Sequence, residues 1–209
     1  MQKRPNILWI TLESVRADHT SMYGYSRNTT PNIQSETSRS DATVFSTPVS
    51  QSMWTPASTA SMLTGTYLST HRLGQDGKAQ KKLRQELDTF PQLLHQSGYE
   101  TVLFTPNSYI SSSTGLDRGF ATVDDLSVSK ESFLQRGSAV KENWACAMER
   151  IRELDTIDLQ RLKDDVAHNP TATIPRRFKS WNKRERDESP FFAYAHIDSP
   201  HHPYRPVSK

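Results

Sequence analysis

Three short segments, Asn6 to Leu12, Glu100 to Phe104 and Phe191 to Ile197, carry apolar residues with little of the alternation that a strand wet on one face requires. Such runs suit strands covered on both faces, and Asn6 to Leu12 in particular reads as a strand buried on both sides of a parallel sheet. Thr89 to Gln96 has the pattern of an amphipathic helix closed by Gly98, and Glu100 to Phe104 follows it directly. Thr43 to Val49 is a further strand candidate. Strand, helix and strand in succession predict an α/β fold, a mostly parallel sheet flanked by helices and joined by right-handed crossovers. Open sheets of this kind bind ligands beyond the carboxyl ends of their strands, and Glu13 stands directly after the first one.

The stretch from Trp54 to Gly65 places a hydroxyl at such a ligand-facing end. Proline is favoured at the first turn of a helix and glycine just past its end, so Pro56 and Gly65 bracket one short helix with Thr55 as its N-cap. There the threonine oxygen sits where free backbone N–H groups and the positive end of the helix dipole converge, a place that holds phosphate or sulfate. A nucleophile so placed meets an anionic substrate. The plain alternative is that Thr55 only caps its helix.

The chain has 209 residues, enough for one sizeable core without requiring a second domain. Its mean hydropathy of −0.72 fits a water-soluble fold with a polar insertion, and residues 130 to 187 read as that insertion: helices with polar connectors, including Met148 to Val166. No apolar run is long enough to span a bilayer, and Ile7 to Leu12 is too short for a signal-peptide core, so no membrane span is predicted and the expected compartment is the cytoplasm. The one cysteine, Cys146, excludes an internal disulfide and reads as a core residue. A net charge of +3 and a pI near 9.0 direct attention to residues 176 to 188, where basic residues interleave with Phe178 and Trp181. Glu185, Asp187 and Glu188 dilute that patch, so the stretch reads as a solvated connector and no nucleic-acid partner is predicted.

Four ordered segments resemble the sulfatase family of the alkaline-phosphatase superfamily. Arg4 to Asp18 is similar to its first strand and metal loop, continued by Tyr23-Gly24-Tyr25 and Thr30-Pro31-Asn32. Trp54 to Gly65 resembles its nucleophile motif, with Thr55 at the nucleophile when counted back from Gly65. Phe90 to Thr101 with Gly115 to Phe120 resembles its middle, and Pro190 to Tyr204 its strand leading into an Asp-Pro-His-x-Pro-Tyr loop. The resemblance implies an alkaline-phosphatase-like sheet, and that residues 1 to 209 form the N-terminal part of a domain incomplete at its C-terminus, since the family's second metal-ligand cluster has no counterpart before Lys209.

The resemblance also implies chemistry. Glu13-Ser14 occupies the place of the family's consecutive aspartates, which makes Glu13 and Thr55 the metal ligands of a divalent cation, Mn²⁺, Ca²⁺ or Zn²⁺. Sulfatases convert Cys or Ser to formylglycine; Thr55 with Thr59 in place of arginine resembles instead the branches in which threonine attacks phosphorus directly. Asn107 stands where a lysine is often found and is assigned to a non-bridging oxygen, or else is only a turn residue after Pro106; His201 is assigned to the substrate or leaving-group side. His71 is implied to be structural, whereas His19, His95, His168 and His196 have no usable spacing and read as surface or satisfied core residues. The predicted function is metal-dependent hydrolysis or transfer of a phosphate or sulfate ester, on a small-molecule, glycan or lipid substrate. The alternative is a catalytically inactive sulfatase-like fragment or interaction module.

Overall fold

The computed structural model describes residues 4–74, 79–126, 173–183 and 189–201. Cys146, Met148 to Val166 and most of the expected insertion at 130 to 187 lie outside them. Among the described residues, four strands form one sheet: β1 (Ile7–Leu12), β2 (Glu100–Thr105), β3 (Thr122–Asp125) and β4 (Phe191–Ile197). All pairings are parallel, in the order β1-β4-β2-β3. The three strands expected from the sequence thus lie in one sheet, and β3 joins them at the edge.

Side chains alternate across a strand, and here they divide two cores. Phe192 and Tyr194 of β4 and Leu103 of β2 face one side, where they pack with Ala60, Leu63 and Leu116. Phe191, Ala193 and Ala195 of β4 and Val102 and Phe104 of β2 face the other, against Ile174 and Trp181. The first side is covered by α2 (Thr55–Thr64) and α4 (Phe90–Gln96), which follow α1 (Pro31–Thr37) and flank the short α3 (Leu68–His71). The second is covered by α5 (Ile174–Asn182).

Three expectations are corrected. β1 is not buried on both faces: Ile7 and Trp9 join the first core, but Leu8 and Ile10 are 48% and 52% exposed, because α5 lies over β2 and β4 and no described element covers β1 on that side. Thr43 to Val49 forms no strand, and Phe45 and Val49 lie exposed. Pro48 explains this, since it lacks the N–H a ladder needs and restricts Thr47 before it. Thirdly, Thr55 is the first helical residue of α2, and Trp54, with φ −125° and ψ 133°, is the N-cap. Gly65 ends α2 with a left-handed φ of 64°, as expected.

The segment from Thr89 to Gly98 follows its sequence reading closely. Thr89 Oγ1 accepts from the Gln92 N–H and the Gln92 side chain accepts from the Thr89 N–H, a capping box that starts α4. The aromatic residues of the basic stretch serve the core rather than a surface. Trp181 is 5% exposed, with its ring centroid 5.5 Å from that of Phe191, and Phe178 lies 6.2 Å from Phe104. Both rings pack on the second core, Trp181 within it and Phe178 half-buried against it, and Arg177 approaches Asp124 at 3.9 Å.

Candidate active site at the carboxyl edge of the sheet

A parallel sheet aligns all its carboxyl ends, so the residues after β1, β2 and β4 meet at one edge. Alternation carries the inward face of β1 from Ile7 and Trp9 through Thr11 to Glu13, whose N–H extends the ladder by donating to Ile197 O at 2.8 Å. On β4 the same face runs through Phe192 and Tyr194 to His196, which pairs with Thr11 across the strands. Glu13 and His196 therefore converge under the start of α2.

Glu13 is the centre of a hydrogen-bonded cluster. Thr55 Oγ1 donates to Glu13 Oε1. Asn107 Nδ2 donates to Oε2 at 3.1 Å, and the Nε2–H of His196 donates to the same oxygen at 2.8 Å. This explains why Thr55 does not cap α2: its hydroxyl is committed to Glu13, and no side chain caps the first turn of the helix. Asn107 is a turn residue and a site residue together. Its N–H donates to Thr105 Oγ1 and its Oδ1 accepts from the Tyr109 N–H, both at 3.0 Å, which aims the amide nitrogen at Glu13. Ser14, next along from Glu13, has φ 59°, a left-handed conformation uncommon outside glycine.

The Glu13 side chain is only 14% exposed, and burial alone would raise its pKa. The hydrogen bonds from His196 and Thr55, the electrostatic attraction of the His196 ring and the Asn107 amide outweigh that cost and hold the carboxyl down at about 2. A carboxylate whose folded pKa lies below its unfolded value stabilises the fold above the unfolded value and ceases to as pH falls through the folded one. Stability is therefore expected to fall between about pH 4.5 and 2. Urea unfolding at several pH values checks this, with Glu13→Gln flattening that slope.

His196 is the site residue that sequence spacing missed. It is 1% exposed, and its Nδ1 has no hydrogen-bond partner although buried, so the imidazole is oriented through Nε2 alone. His196→Leu should cost about 1–3 kcal/mol, because it strips a donor from a mostly buried carboxylate. Denaturant unfolding measures that loss, and the acid transition of the variant should move to higher pH. His71, by contrast, is structural: Nδ1 accepts from the Leu73 N–H at 3.0 Å, leaving Nε2–H to donate to Ser61 Oγ at 2.9 Å, and burial lowers its pKa.

His201 lies in the turn after β4, exposed, with its N–H donating to Asp198 O at 2.8 Å. The adjoining Pro200 lines an open cleft of about 570 Å³ together with Ser14, Arg16, His19 and Asn32; Glu13 is not among its lining residues. The structure thus gathers Thr55, Glu13 and Asn107 and adds His196, with His201 in the neighbouring loop. Among the described residues no group of three or more His, Cys, Asp or Glu gathers to hold a metal. The oxygen donors nevertheless suit one side of a shell: the Glu13 carboxylate and the Thr55 hydroxyl are types that Zn²⁺ or Mn²⁺ accept, while His196 Nε2–H is committed to Glu13.

A parallel α/β sheet with a hydrogen-bonded cluster around one carboxylate, Glu13, at its carboxyl edge and the start of α2 facing it is an alkaline-phosphatase-like architecture. The sequence pattern of the sulfatase family matches residues 5–208, and the chain belongs to that family. No curated protein matches the chain. Among solved structures it is similar to the phosphonate monoester hydrolase of Agrobacterium radiobacter, at 20% identity and a TM-score of 0.63 over 95% of this chain and 41% of that one. It is similar to BT4656, solved in complex with its substrate D-glucosamine-2-N,6-O-disulfate, at 19% identity and 0.63 over 98% and 36%. The C-terminal periplasmic domain of EcEptC from Escherichia coli, in a complex with Zn, matches at 15% identity and 0.64 over 100% and 48%. The chain spans less than half the length of each of these structures. At such identities they establish the fold.

Proposed function

We propose that this chain carries the nucleophile side of a metal-assisted site for phosphate or sulfate esters, with phosphodiesters favoured. The observation that supports it best is the Thr55 hydroxyl donating to Glu13 at the start of α2, at the ligand-binding edge of the sheet. Family membership and the sulfate- and phosphonate-ester names among the similar structures point to the same class of substrate.

Glu13 and Thr55 would hold a divalent cation, which, when bound, favours the alkoxide of a ligated hydroxyl and offsets charge on the ester. The zinc complex among the similar structures supports a metal of this kind. Glu13 itself is a poor general base, because a carboxyl held at about 2 has little affinity for a proton at neutral pH. Its role is to be an anion and to fix Thr55. Thr55 Oγ1, its proton released to solvent, attacks phosphorus. The bond from phosphorus to the leaving oxygen breaks as His201 protonates that oxygen, and water or an acceptor hydroxyl then takes the phosphoryl group from Thr55. Asn107 donates to a non-bridging oxygen, and the uncapped first-turn amides of α2 face the same anion.

The full coding sequence, assayed with Mn²⁺, Zn²⁺ or Ca²⁺ against bis-p-nitrophenyl phosphate and p-nitrophenyl sulfate, is expected to turn over the diester faster. No turnover of either ester by the metal-loaded protein would leave the inactive interaction module as the better reading.

A further inference from the structure

Two large aromatic residues stand at the rim of the cluster and outside both cores. Trp54 is the residue before Thr55, and Tyr109 is the residue whose N–H holds Asn107 Oδ1 at 3.0 Å. Their ring centroids lie 5.7 Å apart at an interplanar angle of 70°, an edge-to-face corner, and neither ring joins the buried clusters. Tyr109 is 50% exposed. Each ring is thus one or two residues from a group that would touch the reacting ester. Two walls at a steep angle accept a third ring, which can lie on one face and point its edge at the other.

From this geometry we infer that Trp54 and Tyr109 form a subsite for a flat aromatic group carried by the ester substrate. The inference rests on the ester-transfer reading above and names the substrate class for it. An ammonium headgroup is the other guest that aromatic walls accept, and charge argues against it. Residues 50 to 61 and 104 to 116 contain no Asp or Glu, and the neighbouring carboxylate, Glu13, already accepts from three donors.

The test compares two ligands that share one anion and differ in the ring. The full-length protein is titrated calorimetrically with phenylphosphonate and with methylphosphonate at a fixed Mn²⁺ concentration. Phenylphosphonate is expected to bind about tenfold more tightly, the equivalent of about 1.4 kcal/mol. Trp54→Ala and Tyr109→Leu should each bring the ratio of the two affinities toward one. Trp54 also sets the entry of α2, so Tyr109→Leu, at a half-exposed position, keeps the experiment decisive should Trp54→Ala fail to fold. Equal affinities in the wild type, or a preference that survives both substitutions, overturn the aromatic subsite and leave the ester site standing. Failure of both ligands to bind overturns the ester site and the subsite together.

Discussion

Thr55→Ala is expected to lower kcat on the diester by on the order of 10³-fold or more while leaving a folded protein. Alanine has no oxygen to attack phosphorus, and none of the neighbouring groups replaces it: Asn107 is neutral, His196 is buried behind Glu13, and Glu13 is held as a weakly basic anion. The fold should tolerate the change. Alanine is the best helix former, and the position heads a helix whose buried face is carried by Pro56, Ala57, Thr59, Ala60, Ser61 and Leu63. What is lost is one of the three donors to Glu13, worth about 1 kcal/mol, so the acid transition should also begin at higher pH. Thr55→Ser restores the hydroxyl and should restore a measurable rate. Steady-state kinetics with circular dichroism on each variant checks both. Wild-type turnover by Thr55→Ala would remove threonine from the reaction.

The sequence made one half of this cluster legible and hid the other for a definite reason. Thr55 and Glu13 sit where local signals mark them, beside a proline that opens a helix and at the end of an apolar run, whereas Asn107 comes from the family resemblance, the Pro106-Asn107 pair by itself marking only a turn. Each of those signals spans a few residues. His196 is joined to Glu13 across 183 positions, and only the register of β4 against β1 brings them together. Alternation along Phe192, Tyr194 and His196 puts the histidine on the inner face, but no spacing within the chain says that β4 lies next to β1. β3 was hidden likewise. Thr122–Asp125 has four residues and two of them are acidic, so its pairing with β2 comes from tertiary context rather than propensity. The over-reading of β1 as buried on both faces has the converse cause: an apolar run reports what a strand can tolerate, and not which of its faces a helix reaches.

Gly119→Ala should be the most damaging single methyl among the described glycines, because backbone and not a movable side chain occupies the space. Gly119 has φ +92°, and a Cβ there would stand 2.3 Å from Gln92 N and 2.7 Å from Gln92 Cα. Those atoms belong to the first turn of α4, which is pinned to the same loop by Thr89 Oγ1 donating to Arg118 O at 2.8 Å, while Thr101 Oγ1 donates to Gly119 O at 2.8 Å. Relief of the overlap requires α4 and the loop to separate, and with them the capping box and the packing of Leu94 and Phe120 on the first core. Positive φ costs an L residue about 1–2 kcal/mol, and overpacking adds about 1–3 kcal/mol, so a loss of about 3 kcal/mol or more is expected. Gly98→Ala separates the two contributions. Gly98 has φ +82°, and its nearest neighbours would be the Arg4 guanidinium nitrogens at 3.8 Å, so it carries the conformational cost without the collision. Urea unfolding of both variants should place Gly119→Ala well below Gly98→Ala in stability. Equal losses would mean that the loop and α4 part easily, and that the close approach of Gly119 to Gln92 does not constrain this side of the sheet.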